Sequence, residues 1–479
     1  MVSYDRALVL DSVANGSVVE QLSTTVAAEY DVIVAGGGAA GLVAAVTAAR
    51  HGARTLLVER QGCLGGTATT GYVAQYIGFF NHGIQAVWGL PFEFTQRIVA
   101  AGGSEGFTKY MLAEASANPV PIHNFPFNPE IVKWVADEWA EEAGVEVALH
   151  ANVTAVLKDG DRVGGVIVED VAGRRAYRAR VVVDASGDAT PSYLAGVTMR
   201  APEDEGQHGG RQPQSLVFRL SNIDVARFRA IPRDTKRALA LEGVRRGEIF
   251  WESLSFMSTP GGVDAICLMS RILNIDPLDP RQASSAERIG RQQVKSIIGF
   301  LKREVPGFEN AVLASIAPRI GVRETRRIIG DYTLTEHDIL SGVTFPDSIA
   351  LGCGPMDIHD AQGTGIKLFV PPGPFEIPMR CLIPVGVEGL IVTGRTISAT
   401  RAANGGARHM ATAMALGQAA GSMAVVACRD ANAVHSIPAA IVKSLLEADG
   451  ALTTRDACLA RAARAPESMG LQSTPMPSV

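Results

Sequence analysis

The stretch Asp31-Val-Ile-Val-Ala-Gly-Gly-Gly-Ala-Ala-Gly41 decides the fold. Asp31 to Ala35 is a short apolar run of the kind that forms a buried parallel strand. Gly36-x-Gly38-x-x-Gly41 follows at once, and Leu42 to His51 is an Ala/Val-rich run of helical length. Strand, glycine turn and helix in that order are the context a dinucleotide fingerprint requires. Gly36 permits the tight turn, Gly38 lets a pyrophosphate approach the backbone, and Gly41 lets the helix pack closely on the strand. The helix N-terminus then offers unpaired N–H groups and a positive dipole end to phosphates. A second strand, Arg54-Thr-Leu-Leu-Val58, ends at Glu59 and Arg60, near the distance at which a carboxylate hydrogen-bonds a ribose hydroxyl.

Outward from this unit, Gln61-Gly-Cys-Leu-Gly-Gly-Thr67 is a glycine-rich turn placed to run back over a bound nucleotide. Residues 72–125 mix aromatic residues and glycine without clear period and read as loops and short helices. Asn128 to Ala143 has helical spacing of Ile131, Val132, Val135 and Trp139. Three strands then follow, at Asn152–Val156, Val163–Val168 and Arg178–Val183, joined by polar turns. They form an antiparallel meander ending in Asp184-Ala-Ser-Gly187-Asp188. A long helix is predicted from Ser285 to Arg303. Ile377–Pro384 and Gly389–Thr393 read as returning strands, and an Ala/Met/Gly-rich helix covers roughly Ala407 to Arg429.

Composition narrows the function class. The chain of 479 residues, 47% hydrophobic with 50 Gly, suits a close-packed α/β enzyme with more than one core. A net charge of −5 without a basic stripe gives nucleic-acid binding no support. Cys63, Cys267, Cys353, Cys381, Cys428 and Cys458 contain no CxxC, so zinc or cluster ligation lacks its usual spacing and no metal site is assigned. The first 30 residues lack the basic-then-apolar pattern of a signal peptide, and apolar stretches are interrupted before about 18 residues. A cytoplasmic protein without a membrane span is the expectation, and a homo-oligomer is compatible with it.

These pieces together resemble the FAD-dependent oxidoreductases of the glutathione-reductase-like superfamily, which carry two dinucleotide-binding motifs. The carriers are the fingerprint with Glu59 and Leu64-Gly65-Gly66, the turn Asp184-Ala-Ser-Gly187-Asp188, and the strand ending Thr393-Gly394-Arg395. Arg395 stands where that superfamily usually has an acidic residue. Three further blocks, Gly321–Tyr332, Ile377–Pro384 and Gly394–Thr400 with Leu416–Gly421, resemble the broad family called simply FAD-dependent oxidoreductase, over roughly residues 30–430. The resemblance implies a Rossmann-like FAD-binding domain, with a parallel sheet and a small antiparallel meander, and a discontinuous α+β substrate domain. The FAD unit then takes 29–75, 120–205 and 375–430, and the substrate unit takes 76–119 and 206–374. Residues 1–28 form an N-terminal extension, and 431–479 form C-terminal helices and a mobile tail. Noncovalent FAD would lie against Gly36, Gly38, Ala39, Ala40, Gly41, Glu59, Arg60, Gly65, Gly66, Thr67, Gly187, Asp188, Gly394, Arg395 and Gly417. The backbone at Val153 would reach the adenine edge.

Two absences refine the chemistry. No cysteine pair follows Gly65-Gly66-Thr67, which removes dithiol chemistry, and no second strand–GxGxxG–helix unit is evident for a nicotinamide. The reading is dehydrogenation of a small polar substrate (an alcohol, an amine or a carbon next to a carbonyl) by hydride transfer to flavin N5. The electron acceptor is then oxygen, a quinone or another protein. An electron-transfer subunit and a non-redox flavin isomerase are the alternatives. Such dehydrogenation needs a base and often a cation for an anionic group. His359, flanked by Asp357 and Asp360, and His409, at the start of the C-terminal helix, are the candidate bases. Arg323, in a cluster with Arg326 and Arg327, is the candidate clamp; on an extended segment Arg323 and Arg327 would share a face. Tyr72, Tyr76, Phe79, Phe80 and His82 are candidates to face the flavin, with packing as the alternative.

Overall fold

Five parallel strands end in register, and that shared edge fixes where everything else goes. The computed structural model describes residues 22–112, 120–202, 211–262, 264–361, 363–429 and 433–464. Strand β1, Val26–Ala35, pairs in parallel with β2, Thr55–Val58, and with the strand Gly173–Asp184. Ala35 is opposite both Val58 and Asp184, and Asp184 is opposite Val392 of the parallel strand Leu390–Val392. Glu146–Ala148 completes the parallel edge beside β2. The near end of Gly173–Asp184 instead turns back antiparallel onto Arg162–Asp170, which pairs with Asn152–Asp159. The seven-stranded sheet therefore contains both the parallel core and the predicted meander. Strand β1 begins five residues before Asp31, inside the segment read as an extension; residues 1–21 and 465–479 lie outside the described residues.

Helix α1, Ala39–Arg50, crosses from β1 to β2 and is buried along nearly its whole length. Its partner is the helix Met410–Arg429, in which 94% of the apolar window is buried inside the protein. Among the described residues this is the one helix long and apolar enough to cross a bilayer, and here it serves as the core helix. Its glycines do not interrupt it, contrary to the sequence reading of broken apolar stretches; they permit contact. A Cβ on Gly417 would lie 2.1 Å from the Ala40 carbonyl oxygen, and one on Gly421 would lie 2.5 Å from that of Ala44. The predicted start at Ala407 is corrected as well: Arg401–Ala407 is a separate short helix, and Arg408 and His409 form the break between the two.

A second unit lies beyond the shared edge. Phe256–Ser258, Asp264–Cys267, Phe218–Ser221 and Val312–Ile316 make a four-stranded antiparallel sheet. It is backed by the helix Pro280–Glu304, capped by Asp279, whose carboxylate accepts from the Arg281 and Gln282 N–H groups. Val294, Ile297, Phe300 and Leu301 of that helix are buried. Val120–Pro126 pairs with Gln75–Ile77 and Thr108–Leu112, so part of the span 72–125, read from sequence as loops and short helices, is a three-stranded sheet. Phe375–Pro378 is a strand, but Met379–Leu382 is a 3₁₀ turn, so the predicted strand Ile377–Pro384 is shorter and earlier.

Candidate active site

The strand ends open onto a cavity of about 920 Å³ including its mouth, lined by Gly36, Gly38, Ala39, Ala40, Glu59 and Arg60 and by Gly66, Thr67, Gly187, Gly394 and Arg395. Gly36 has φ +103°, and a Cβ there would lie 2.5 Å from the Ala185 carbonyl oxygen. Gly38 is ordinary extended backbone (φ −73°, ψ −171°), and no side chain caps the N-terminus of α1 behind it. A Cβ on Gly38 would meet nothing closer than Gly66 Cα at 3.9 Å. The space in front of the helix N–H groups is thus open, as an anion site requires. Buried Glu59 is held across the turn: its Oε2 accepts from Gly37 N at 2.6 Å and its Oε1 from Gln61 N at 2.8 Å.

A carboxylate buried among guanidiniums closes the other side. Asp188 Oδ1 accepts from Arg395 Nη2 at 2.8 Å, and its Oδ2 accepts from Arg60 Nη2 at 2.9 Å and lies 3.5 Å from Arg319 Nη2. Burial alone would raise the Asp188 pKa, but Arg395, Arg319 and Arg60 hold it well below the usual carboxylate range. Arg395 also donates from Nε to the Gly187 carbonyl at 2.6 Å and from Nη1 to the Val322 carbonyl.

A second cavity, of about 1340 Å³ including its mouth, shares Thr67, Gly321, Val322, Arg395, Arg408 and Met410 with the first. Its polar lining includes Arg323, Asp357, His359, Arg408 and His409 with Ser215, Ser253, Ser255 and Ser270, and its apolar lining includes Val217, Leu268, Trp251 and Ile366, of which Trp251 lies 5.1 Å from the His359 ring. His359 lies on the strand Met356–His359 and is 5% exposed. Its Nε2 is 3.1 Å from Asp357 Oδ1 and its Nδ1 is 3.3 Å from Arg271 Nη1. A guanidinium can only donate, so Nδ1 accepts and Nε2 carries the proton toward Asp357. Burial and the nearby Arg323 lower the His359 pKa against the opposing pull of Asp357, so the ring is neutral. His409 precedes the core helix, and its Nε2 is 2.8 Å from the Pro355 carbonyl oxygen. That nitrogen must donate, which leaves the lone pair on Nδ1. Burial lowers the His409 pKa as well.

Comparison with known proteins bears on this arrangement. The family described as FAD dependent oxidoreductase matches residues 31–446. The chain belongs to that family. Digeranylgeranylglycerophospholipid reductase 2 of Methanopyrus kandleri is 32% identical over 161 residues, which are 33% of this chain and 38% of that protein. The corresponding reductase of Picrophilus torridus is 29% identical over 170 residues, 33% of this chain and 39% of that protein. The match thus spans well under half of either relative. Among solved structures, a geranylgeranyl bacteriochlorophyll reductase-like protein from Thermoplasma acidophilum superposes with a TM-score of 0.46 at 14% identity, covering 88% of this chain and 83% of that one. The p-nitrophenol 4-monooxygenase PnpA of Pseudomonas putida DLL-E4 gives 0.44 at 12% identity, covering 93% and 91%.

FAD is therefore the cofactor, and the first cavity fits it. The open cradle at Gly38, the uncapped start of α1 and the carboxylate of Glu59 match a pyrophosphate and a ribose. Most of the residues expected at FAD line this cavity; five do not. Gly41 is a packing glycine, since a Cβ would lie 1.8 Å from the Gly36 carbonyl oxygen. Gly65 shapes the loop beside Gly38 through its N–H bond to the Gly37 carbonyl at 2.8 Å. Asp188 sits behind the wall and orients its arginines. Gly417, expected at the cofactor, serves the contact of the core helix with α1. Val153 lies on the meander opposite Val168 and does not line the cavity; Ala151, two residues earlier, is the one that bonds the Glu59 backbone, N–H to carbonyl at 3.0 Å.

All three catalytic candidates, Arg323, His359 and His409, converge on the second cavity. The basic cluster itself splits three ways, because Val322–Arg326 is not a strand. Arg326 Nε donates to the Asp188 carbonyl at 2.8 Å and its guanidinium lies over the Tyr193 ring, while Arg327 is buried in a two-residue strand. Tyr76 and Phe79 are core packing, Tyr72 donates to Glu130, Phe80 packs on Phe107 and His123, and His82 turns a hairpin; none of the five lines either cavity. Sequence reading missed Arg271, Arg319 and Trp251. Arg319 stands two residues before the Gly321 block; Arg271 and Trp251 carry no local signal.

Proposed function

We propose that this enzyme dehydrogenates a small polar organic substrate in the second cavity, with His409 taking the substrate proton. When bound, FAD supplies the hydride acceptor. The observation that carries the reading is the engaged Nε2 of His409, which leaves the Nδ1 lone pair outside that bond on a residue lining a cavity that adjoins the cofactor cavity. A base must be unprotonated at working pH, and burial keeps His409 so. His359 has both ring nitrogens engaged and acts as a positioning residue for Asp357 and Arg271. No His, Cys or Tyr lines the first cavity among the described residues, which supports noncovalent FAD. Reoxidation falls to oxygen, a quinone or a protein partner.

The apolar walls of the cavity and the partial likeness to prenyl-lipid reductases favour a second reading, reduction of an isoprenoid double bond. Anaerobic mixing with alcohols, amines and keto compounds separates the two: the first reading expects bleaching of oxidised flavin by one of them. The second expects no bleaching, and reoxidation of pre-reduced flavin by an alkene. In stopped flow, His409→Ala should slow bleaching by about 10²–10⁴-fold, and His359→Asn less. If His409→Ala reduces within threefold of the parent, His409 is not the base.

A further inference from the structure

The polar end of the second cavity carries more cation than it neutralises. Among the described residues, the guanidiniums of Arg323, Arg395 and Arg408 line it against a single carboxylate, Asp357. Arg395 is engaged by Gly187, Val322 and Asp188, and Arg408 Nη2 is 3.3 Å from Asp357 Oδ2. Arg323 differs. Its Nη1 donates to the Pro213 carbonyl and to Ser215 Oγ, and no carboxylate of the described residues pairs with it. The Nε–Nη2 edge of its fork is left uncommitted on the cavity wall. Burial and the neighbouring Arg408 lower the Arg323 pKa to about 9, so the surroundings disfavour its charge while that edge is empty. His359, being neutral, adds no counter-charge, and Arg271 behind it adds another cation.

A planar guanidinium edge with two parallel N–H groups matches a carboxylate bidentately. A phosphate would present further oxygens, and the adjacent guanidiniums of Arg395 and Arg408 are already paired with Asp188 and Asp357. The cavity lining also includes the apolar side chains of Val217, Leu268, Trp251 and Ile366, which a two- to four-carbon acid has little carbon to cover. We propose that the second cavity takes an organic carboxylate of medium size, its carboxylate on the Nε–Nη2 edge of Arg323 and its apolar portion against Val217, Leu268, Trp251 and Ile366. This rests on the reading of the cavity as the substrate site.

The test uses the oxidised, FAD-loaded enzyme and binding alone, so it stands apart from turnover. Octanoate and 3-phenylpropanoate are titrated beside their primary amides, with flavin difference spectra and calorimetry as readouts. The acids should bind about 10- to 100-fold more tightly than the amides. Butanoate should bind more weakly than octanoate. Arg323→Met should remove that preference for acids while FAD affinity stays within threefold and amide binding is unchanged; Arg323→Lys should restore part of it. Octyl phosphate is the competing source of anionic chemistry and should bind no better than the amide. Equal affinity of acids and amides for the unaltered enzyme overturns the proposal, as does tighter binding of octyl phosphate. Loss of FAD affinity in Arg323→Met with acid binding intact would assign Arg323 to the cofactor and also overturn it. Tight acid binding with no bleaching by the alcohols, amines or keto compounds supports the carboxylate site and counts against the dehydrogenase reading alone.

Discussion

Gly38 and Gly41 lie three residues apart in one turn, and the structure expects opposite consequences of giving each a side chain. At Gly38 the backbone is extended and the nearest atom to an added Cβ is 3.9 Å away. Alanine there fits the apoprotein without strain and, by restricting the unfolded chain, should stabilise it by about 0.4–1 kcal/mol. Valine at the same place fills the space before the N–H groups of α1. Two charge-assisted hydrogen bonds to a phosphate contribute about 1.5–3 kcal/mol each. Losing both weakens FAD by roughly 100-fold or more. At Gly41 a Cβ would lie 1.8 Å from the Gly36 carbonyl oxygen and 2.9 Å from Ala185 Cβ. The turn must move, at a cost of about 1–3 kcal/mol or more, whether or not FAD is present. Thermal unfolding of each apoprotein by circular dichroism reads the first effect. FAD titration followed by flavin fluorescence reads the second, after acid release of bound flavin has verified its noncovalent attachment. Normal FAD affinity in Gly38→Val, or an apoprotein melting loss in Gly38→Ala as large as in Gly41→Ala, would refute the placement of the pyrophosphate.

Two further outcomes follow from the same cavity. Glu59→Gln keeps the acceptor oxygen that Gly37 N needs but loses the charge, so FAD affinity by fluorescence titration should fall about tenfold while the apoprotein stays folded. Asp188 is a carboxylate whose folded pKa is depressed by Arg395, Arg319 and Arg60. Its stabilisation is therefore fully present above the unfolded value of about 3.9 and is lost as pH falls below it. Asp188→Asn should cost about 1–3 kcal/mol at pH 7, because the partly exposed guanidiniums of Arg395, Arg319 and Arg60 lose their shared counter-charge. In chemical denaturation across pH 3–7 it should show a flatter acid limb than the parent; equal slopes would contradict the ion cluster.

The dinucleotide half of the molecule was legible because its signals are local. The turn at Gly36–Gly41, the carboxylate at Glu59 and the strands of the meander each declare themselves within a dozen residues, and the register of Ala35, Val58, Asp184 and Val392 then brings them to one edge. The second cavity was legible only in fragments. His359, His409 and Arg323 could be picked by residue type, yet their roles depend on Pro355, Arg271 and Pro213, which are partners made by tertiary contact. Gly417 misled for a related reason. A glycine in a cofactor motif and a glycine that lets two helices touch leave the same mark in a sequence, and only the 2.1 Å approach to Ala40 separates them.

Arg395 shows why one departure from a family pattern need not disable a site. The guanidinium at that position is neutralised from another strand end, by Asp188, so the local charge is balanced. The exchange has a structural consequence. An acidic side chain at 395 could not donate, whereas the guanidinium bonds Gly187 on one side and Val322 on the other. Gly187 belongs to the strand end of the dinucleotide unit, and Val322 belongs to the segment that leads to Arg323. The residue that replaces the usual acid thus ties the wall of the cofactor cavity to the segment carrying the proposed substrate anchor. It also lines both cavities. One partly buried side chain with all three guanidinium nitrogens engaged thus borders both cavities, and its fixed bonds limit how far the two walls can move apart.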